Sequence, residues 1–463
     1  MLLSNVMAHT RKASRYALFT AVPAIGHINP MLQEALELKR RGWRVALAAT
    51  EELRSHVENS APDVAFVSLG LVPDDLKNKL EDGARYASAE PNFVKALVKS
   101  SLSLIDALWF HYFDALVDSI RKDRPDVMVV DFMTTAGLDA AEAEGIPFIV
   151  NNADLLTVLP HPLLPPAYGN PRVLSGVSIH AIGPVRRLLN HLIIPATNFA
   201  SDLFMAKLDE KLNACRRSRG LPPTKFSERL KDKLVLINSA FGLEYERPLS
   251  PLLRMVGPML ADDVEPLPSE YQEWLGNGSP VVYVNLGTVG SSPSEQLARM
   301  VTAFENLEYR VLWVLRNEQH AALPRKRPKN LRLEKWGPAP RAILGHSNVK
   351  CFVSHCGTNS VHESLTAGTP IVGIPTLAAQ LDMGMRVQDA GVGLVLNKTR
   401  FTPTELRDAV ERVMRDESFR RNIPHIQSSL RQAGGFRRAA DLIEQFAGGT
   451  GINLANASQS ARP

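Results

Sequence analysis

The stretch Lys350–Ala367, KCFVSHCGTNSVHESLTA, decides the fold. It begins with an apolar run of strand length, passes through a turn that contains Gly357, and continues with apolar residues at helical spacing. This order of strand, glycine turn and helix is typical of a parallel sheet covered by helices. We expect the first amides of the helix to bind a phosphate or diphosphate, because they are free donors at the positive end of the helix dipole.

Two side chains beside this turn suit the same ligand. His355, at the end of the strand, can donate a hydrogen bond to phosphate oxygens, and Glu363, one helical turn further on, can accept hydrogen bonds from a vicinal diol such as a ribose. The competing interpretation is a zinc site, because histidines and cysteines crowd this region: His346, Cys351, His355, Cys356 and His362. Against zinc, the neighbours His355 and Cys356 point to opposite faces. We therefore expect no metal.

The same order of strand, turn and helix recurs in both halves of the chain. Near the N-terminus, the apolar run Tyr16–Val22 leads into a turn with Gly26 and His27, and Pro30 predicts the start of a helix. Other apolar runs predict strands at Trp43–Ala49, Val64–Leu69, Val127–Val130, Ile146–Val150, Val281–Leu286, Arg310–Leu315, Lys350–Ser354 and Ile371–Ile374. The predicted fold class is α/β, with two doubly wound Rossmann-like domains that face each other across a cleft.

A segment rich in proline and acidic residues, Pro258–Pro268, separates the two halves. We predict an N-terminal domain at 15–257, a linker at 258–272 and a C-terminal domain at 273–435. Insertions in α/β domains usually lie over the carboxyl ends of the strands, so Pro160–Asn213 is expected to lie near a ligand. The aromatic segment Ser101–Ile120 predicts a helix that packs on the sheet and exposes part of its surface to an apolar ligand.

Composition narrows the function further. Of the 463 residues, 45% are hydrophobic and 22% charged, and the formal net charge is only +5, which excludes a disordered or fibrous chain. The basic run Arg325–Lys329 is predicted to be a solvated loop rather than a site for nucleic acid or phospholipid. Three cysteines argue against a disulfide framework and for a reducing compartment. With no apolar stretch of ~18 residues and no secretory signal, we expect a soluble cytoplasmic protein.

A longer set of residues carries a family resemblance. It comprises Trp336-Gly337-Pro338, His346, Phe352–Ser360, Glu363, Gly368-Thr369-Pro370, Pro375, Gln380 and Asp382. This set resembles the signature of UDP-dependent glycosyltransferases, which glycosylate small lipophilic acceptors, and Gly26-His27-Ile28-Asn29-Pro30 resembles their N-terminal Gly-His-x-x-Pro. The resemblance implies the GT-B fold, with acceptor on the first domain and nucleotide-sugar on the second. It also implies that a final helix at 436–447 crosses back to the first domain.

The resemblance assigns a role to each matching residue. His27 matches the catalytic base and Asp131 its acidic partner, while Trp336 would stack on the uracil and Glu363 would bind the ribose. The remaining donor contacts would come from Thr288, His355, Gly357, Asn359 and Ser360 at the diphosphate and from Gln380 at the sugar. These roles fit inverting transfer, because a neutral histidine suits proton abstraction near neutral pH and a carboxylate on its other nitrogen orients it.

Four positions depart from the family pattern. Ala339 stands where Gln is usual, Thr358 where many plant members have Trp, and Met383 where Asn is common. Ala379 stands where an Asp usually precedes the Gln at position 380, so one charged acceptor for the sugar hydroxyls is missing. We therefore expect donor selectivity to be blunter than is usual in the family.

The sequence as a whole predicts an inverting UDP-glycosyltransferase. It would move a hexose from a UDP-sugar to a hydroxyl of a lipophilic small molecule, and the hexose that we expect is glucose. We expect a monomer and no cofactor, since the UDP-sugar is a substrate. Two alternatives stay open: a two-domain UDP-GlcNAc epimerase of the same fold, and a non-catalytic nucleotide-sugar binder. The presence of both His27 and Asp131, and the long apolar segments for an acceptor, favour the transferase.

Overall fold

The computed structural model describes most of the chain. The described residues are 14–90, 93–159, 163–164, 170, 177–181, 183, 194–287, 292–305 and 307–449. The strands are β1 (Tyr16–Thr20), β2 (Arg44–Ala49), β3 (Ala65–Ser68), β4 (Val127–Asp131), β5 (Phe148–Asn152), β6 (Val235–Ile237), β7 (Leu253–Met255), β8 (Val281–Asn285), β9 (Arg310–Val314), β10 (Leu331–Glu334), β11 (Val349–Ser354), β12 (Ile371–Gly373) and β13 (Gly393–Val395).

Helices connect these strands. They are α1 (Ile25–Arg40), α2 (Arg54–Ser60), α3 (Asp74–Ala89), α4 (Phe93–Lys122), α5 (Thr135–Ala143), α6 (Ile194–Ser218), α7 (Phe226–Arg229), α8 (Ser269–Gly276), α9 (Ser294–Glu305), α10 (Asn317–His320), α11 (Pro340–Leu344), α12 (Thr358–Ala367), α13 (Ala378–Asp389), α14 (Pro403–Arg415), α15 (Ser418–Gln432) and α16 (Gly435–Ala447). Of Pro160–Asn213, the part from 194 onward lies in α6, and most of the rest lies outside the described residues.

The strands form two parallel sheets. The first has the order β3-β2-β1-β4-β5-β6-β7 and the second β10-β9-β8-β11-β12-β13. In each sheet the order reverses next to the first strand in sequence, between β1 and β4 and between β8 and β11. Ligands of open α/β sheets bind at the carboxyl ends of the strands at such reversal points. The predicted architecture of two doubly wound α/β sheets is confirmed.

The helix after β1 starts earlier than predicted. Pro30 was expected at the helix start, but α1 begins at Ile25 and contains Pro30 in its second turn. The prediction was wrong because it took the missing N–H of the proline as the mark of a helix start, whereas the helix continues through Pro30 without the bond to the carbonyl four residues earlier. That carbonyl belongs to Gly26, and it accepts a hydrogen bond from the Asn359 side chain. His27 therefore lies in the first turn of a helix rather than in a loop.

The apolar core of the first half lies on both faces of its sheet. On one face the aromatic helix α4 buries Trp109, Tyr112 and Phe113 against the sheet and α5. Phe110, on the same helix, is 42% exposed. The predicted helix at Ser101–Ile120 is thus confirmed as part of a longer one that packs mainly on the sheet.

The C-terminal helix covers the other face. Phe436, Leu442 and Ile443 of α16 are buried in the same apolar cluster as α1 and β2. Trp43 Nε1 donates to Glu444 at 2.9 Å, and Arg41 donates to Asp441 at 2.7 Å. The last helix that the structure describes therefore packs on the first sheet, although it follows the strands of the second. Among the described residues, none of the helices has the length and apolar character to cross a membrane.

Candidate functional site

The two residues that close the first reversal point contact each other. His27 follows β1, Asp131 is the last residue of β4, and His27 Nδ1 lies 2.8 Å from Asp131 Oδ1. The second carboxylate oxygen of Asp131 accepts hydrogen bonds from Thr134 Oγ1 at 3.0 Å and from the Met133 amide at 3.2 Å. Asp131 is almost fully buried, whereas 19% of the His27 side chain is exposed. The pair is thus anchored on one side and open on the other.

Electrostatics make His27 a stronger base. Burial lowers the pKa of the His27 imidazole, but the Asp131 carboxylate, with a smaller contribution from Asp154, outweighs it and raises the pKa above the ordinary value of 6.5. A carboxylate at Nδ1 favours the tautomer with the proton on Nδ1, which leaves Nε2 free to accept a proton. The geometry therefore matches the predicted pairing of a base with an orienting acid.

A pocket lies beside this pair. It is partly open to solvent and is lined by Val22, Leu104, Ile105, Leu108, Trp109, Tyr112, Met133, Thr134, Thr135 and Ala136. Thr134 also holds Asp131, so the pocket adjoins the predicted base. Its lining is mainly aliphatic and aromatic with three hydroxyl groups, those of Tyr112, Thr134 and Thr135, as is usual for sites that bind small apolar molecules.

The second reversal point holds His355 and the N-terminus of α12. A Cβ atom on Gly357 would lie 2.4 Å from His355 Nε2, and one on Gly287 would lie 2.7 Å from it, so the ring fits only between two glycines. Gly287 also has a φ of +83°, which disfavours any other residue. Burial lowers the pKa of His355 to about 4, which keeps the imidazole neutral in the free protein.

Gly357 is also the N-cap of α12, and the helix begins at Thr358. The first N–H groups of a helix have no acceptor within it, so the amides that include those of Asn359 and Ser360 can bind a ligand. The Asn359 side chain points to the first half of the chain, because Nδ2 donates to the Gly26 carbonyl at 2.7 Å. An amide group has two N–H donors, so this bond leaves the predicted phosphate contact open.

Glu363 and Trp336 lie in the same half. Burial raises the pKa of Glu363 to about 7, and the nearby Arg341 guanidinium opposes that rise. Trp336 is 69% exposed, which is unusual for a tryptophan and leaves its ring face available to stack on a base. Arg341, in α11, was missed by sequence reasoning because a lone arginine after a departure from the family pattern carries no signal.

Gln380 has an additional structural task. Its Oε1 accepts hydrogen bonds from the Thr376 amide at 2.9 Å, the Thr376 hydroxyl at 2.8 Å and the Leu377 amide at 2.8 Å, so the side chain caps α13. Its amide nitrogen is the part that can donate to a sugar hydroxyl. Asp382 is buried, and its Oδ2 accepts from Thr157 at 3.3 Å, so the carboxylate faces the first half of the chain.

Not every predicted residue can be placed. Thr288 lies outside the described residues. Within the described ranges, no three His, Cys, Asp or Glu side chains come close enough together to hold a metal ion. Cys351 and Cys356, two members of the considered zinc set, are fully buried, and burial raises the pKa of each thiol to about 12. The basic residues Arg325, Lys326, Arg327 and Lys329 are exposed.

Buried polar contacts also join the two halves. Arg386 of α13 forms an ion pair with Glu244 at 2.7 Å, and both side chains are buried. The other Glu244 carboxylate oxygen accepts from the Leu156 amide at 2.7 Å. Tyr245 donates to Asp389 at 2.6 Å. These contacts bring the carboxyl ends of the two sheets together, and His27 lies close to the N-terminus of α12, where Asn359 bonds the Gly26 carbonyl.

Similar proteins identify the family. The family model described as UDP-glucoronosyl and UDP-glucosyl transferase matches residues 84–433. A UDP-glycosyltransferase of Talaromyces amestolkiae is 31% identical over 491 residues, which cover 95% of this chain and 88% of the relative. The NDP-glycosyltransferase YjiC of Bacillus licheniformis is 25% identical, with 93% and 97% covered. UDP-glucuronosyltransferase 2B17 of Homo sapiens is 28% identical, with 84% and 75% covered.

Solved structures agree on the fold. The glycotransferase of kitacinnamycin superposes with a TM-score of 0.64 at 19% identity, covering 94% of this chain and 99% of the other. CalG4, the calicheamicin glycosyltransferase, superposes with a TM-score of 0.63 at 21% identity, covering 95% and 100%. The predicted GT-B fold is thereby confirmed. The chain belongs to the UDP-glucoronosyl and UDP-glucosyl transferase family and is a UDP-glycosyltransferase.

Proposed function

We propose that this UDP-glycosyltransferase transfers a hexose to a hydroxyl of a lipophilic small molecule with inversion at the anomeric carbon. The hexose that we expect is glucose. The observation that carries the proposal is the His27–Asp131 pair, 2.8 Å apart beside a mainly apolar pocket and joined to the first turn of α12 through Gly26. The pocket supplies a place for the acceptor, and α12 supplies donors for the diphosphate.

The reaction then needs one displacement. His27 Nε2 takes the proton of the acceptor hydroxyl, and Asp131 stabilises the imidazolium that forms. The acceptor oxygen attacks the anomeric carbon from the face opposite the diphosphate, and the bond from that carbon to the phosphate oxygen breaks. UDP leaves with the electron pair, and the α12 amides and His355 bind the diphosphate. A single displacement of this kind inverts the configuration.

A screen of UDP release with UDP-glucose and a mixed library of apolar hydroxylated compounds tests the proposal. We expect release only with an acceptor, and a product whose anomeric proton coupling shows the inverted configuration. His27→Ala is the matched control and should release UDP ~10²–10⁴ times more slowly. Conversion of a UDP-sugar without an acceptor would favour the epimerase, and UDP binding without turnover would favour a nucleotide-sugar binder.

The sugar preference has its own test. Ala379 lies in the first turn of α13 and has no polar side-chain atom, while the carbonyl oxygen of Gln380 caps the helix. We therefore expect UDP-galactose, UDP-xylose and UDP-N-acetylglucosamine to follow UDP-glucose closely in kcat/KM. Ala379→Asp adds a charged acceptor that should contribute ~1.5–3 kcal/mol and sharpen the preference for glucose. Strict glucose use in the wild type, unchanged by the substitution, would show that other residues read the hydroxyls.

The cytoplasmic location, the monomeric state and the absence of a metal requirement stay predictions. Activity after treatment with EDTA and size-exclusion chromatography of the purified protein test the last two. Loss of activity on chelation, restored by a divalent cation, would contradict metal-independent transfer.

A further inference from the structure

We call the part of the site around His27, Asp131 and Asp154 the acceptor half, and the part formed by α12 with His355 and Glu363 the donor half. Two side chains in the first turn of α12 contact the acceptor half. Thr358 Oγ1 donates to Asp154 Oδ1 at 2.7 Å, and Asn359 Nδ2 donates to the Gly26 carbonyl at 2.7 Å. Gly26 precedes His27 in α1, and Asp154 follows β5 and acts electrostatically on His27. The helix expected to hold the donor diphosphate is therefore bonded to the acceptor half at two points that both bear on His27.

Pro30 explains why the second contact is possible. Inside an α-helix the Gly26 carbonyl would accept the N–H of residue 30, but a proline has no N–H to give. Pro30 is buried within α1, so the carbonyl of Gly26 is left to a donor from outside the helix. Asn359 is that donor. The first turn of α1, which carries His27, thus lacks one internal bond and has an external one instead.

The contact between Thr358 and Asp154 also links α12 to the surroundings of His27. Asp154 accepts from Thr358 and, through the same oxygen, from the Leu155 amide at 2.9 Å. Thr358 is largely buried, so its hydroxyl is shielded from water. A hydrogen bond to a carboxylate in such surroundings is stronger than one at an exposed surface. The carboxylates that act on His27 are Asp131 and Asp154, and only the second is bonded to the donor half.

We propose that the first turn of α12 positions His27 for proton abstraction, with Thr358, Asn359 and Asp154 as positioning residues. Transfer would then be efficient only while the donor-binding helix is bonded to the acceptor half. The proposal rests on the proposed role of His27 as the base. Its physical basis is that a misplacement of ~1 Å in a catalytic group can cost ~10² in rate.

Thr358→Val and Asp154→Ala each remove one partner of the first contact. We expect either substitution to lower kcat about tenfold with an unchanged dissociation constant for UDP. The double variant should be no slower than Asp154→Ala alone, because both changes break the same bond. Thr366→Val, at the other end of α12, is the matched control and should keep the wild-type kcat. A raised UDP dissociation constant with normal kcat, or additive losses in the double variant, would overturn the proposal.

Asp154→Asn separates position from charge. The amide oxygen can still accept from Thr358, so kcat at its plateau should stay near the wild-type value. Loss of the negative charge should lower the pKa of His27, and the rising limb of the pH profile of kcat/KM should move to lower pH. A tenfold lower plateau without that movement would contradict the assignment of Asp154.

An NMR titration makes the test independent of transfer. In protein labelled at the histidine Cε1, the resonance absent from His27→Gln identifies His27. We expect Thr358→Val and Asp154→Asn to shift its titration and Thr366→Val to leave it unchanged. If the wild type glycosylates nothing in the screen, the proposed function fails, while this titration still decides whether α12 acts on His27. A His27 titration identical in all variants would overturn the positioning role.

Discussion

The acceptor half and the donor half of the site differ in how they treat charge. In the acceptor half, His27, Asp131 and Thr134 are already joined by hydrogen bonds, and the Asp131 carboxylate favours the charged form of the imidazole. In the donor half, burial favours the neutral forms of both His355 and Glu363. The proposed acid–base pair is therefore assembled within the protein itself, whereas burial favours the uncharged forms of the two side chains proposed to bind UDP.

Substitution of His27 or Asp131 tests the proposed roles in the acceptor half. His27→Ala should lower kcat by ~10²–10⁴, the range for a lost general base, without changing UDP affinity. Asp131→Asn should cost less than His27→Ala, because it removes orientation and charge but leaves the base. Initial rates and calorimetric titration of UDP measure the two effects. An unchanged rate in His27→Ala would remove this residue from the mechanism.

Substitution of His355 or Glu363 tests the proposed UDP contacts in the donor half. His355→Ala and Glu363→Ala should each weaken UDP binding by ~1–3 kcal/mol, the contribution of a hydrogen bond with one charged partner. Ser364→Ala, which removes a buried hydroxyl of the same helix that bonds the Thr369 carbonyl, is the control and should bind UDP as the wild type does. Calorimetry gives the affinities. Full UDP affinity in Glu363→Ala would show that the ribose is bound elsewhere.

The pH dependence of UDP binding tests whether Glu363 binds the ribose as a carboxylate. The pKa of Glu363 is raised to about 7, and a carboxylate accepts ribose hydroxyl hydrogen bonds better when ionised. UDP affinity should therefore rise with pH through about 7 and fall below it by at most ~10-fold per pH unit. Glu363→Gln should flatten that dependence. A wild-type affinity that is constant between pH 6 and 8 would contradict the assignment.

A second buried carboxyl group, that of Glu34, is expected to affect the stability of the fold. Glu34 of α1 is fully buried, its Oε1 accepts from Asn151 at 2.7 Å, and burial raises its pKa well above 4.5. The folded state thus holds this proton at pH values where the unfolded chain has lost it, so Glu34 makes the fold less stable as pH rises above about 4.5.

Glu34→Gln keeps a hydrogen-bonding side chain and removes the acid. It should raise the unfolding free energy by ~1 kcal/mol at pH 8, and the gain should disappear at pH 4. Thermal unfolding at several pH values measures this, with Glu37→Gln in the same helix as the control. A gain of equal size at both pH values would mean that ionisation of Glu34 is not the cause.

Much of the fold could be predicted because buried parallel strands are apolar runs of strand length. The runs at Tyr16–Val22 and Val281–Leu286 predicted β1 and β8. Strands β6, β7, β10 and β13 were missed, since three or four residues give no periodicity. Strand β12 is equally short, but Pro370 and Pro375 bound its apolar run and mark it in the sequence. The start of α1 was missed because proline is normally taken to mark a helix start, and the bond from Asn359 to the Gly26 carbonyl, which replaces the one that Pro30 lacks, comes from the other half of the chain.

The candidate site was predictable where a residue acts next to its own strand. His27, Asp131 and His355 each follow or end a strand at a reversal point, so their positions follow from local sequence and topology. Thr358 and Asp154 are 204 residues apart, and their contact depends on how the two sheets meet. The capping role of Gln380 depends on a turn conformation that its sequence does not specify.

The crossing of α16 has a consequence for how the protein is made. Its apolar residues complete the face of the first sheet that α1 and β2 line, and Gly434 and Gly435, with φ of +97° and +60°, turn the chain back toward it. The last strand of the first sheet ends at Met255 and α16 begins at Gly435, so the ribosome synthesises the whole sheet about 180 residues before that cover exists. The apolar face that α1 and β2 line therefore stays uncovered on the nascent chain until α16 has been synthesised. Any premature termination before residue 435 would leave that surface exposed to chaperones and proteases.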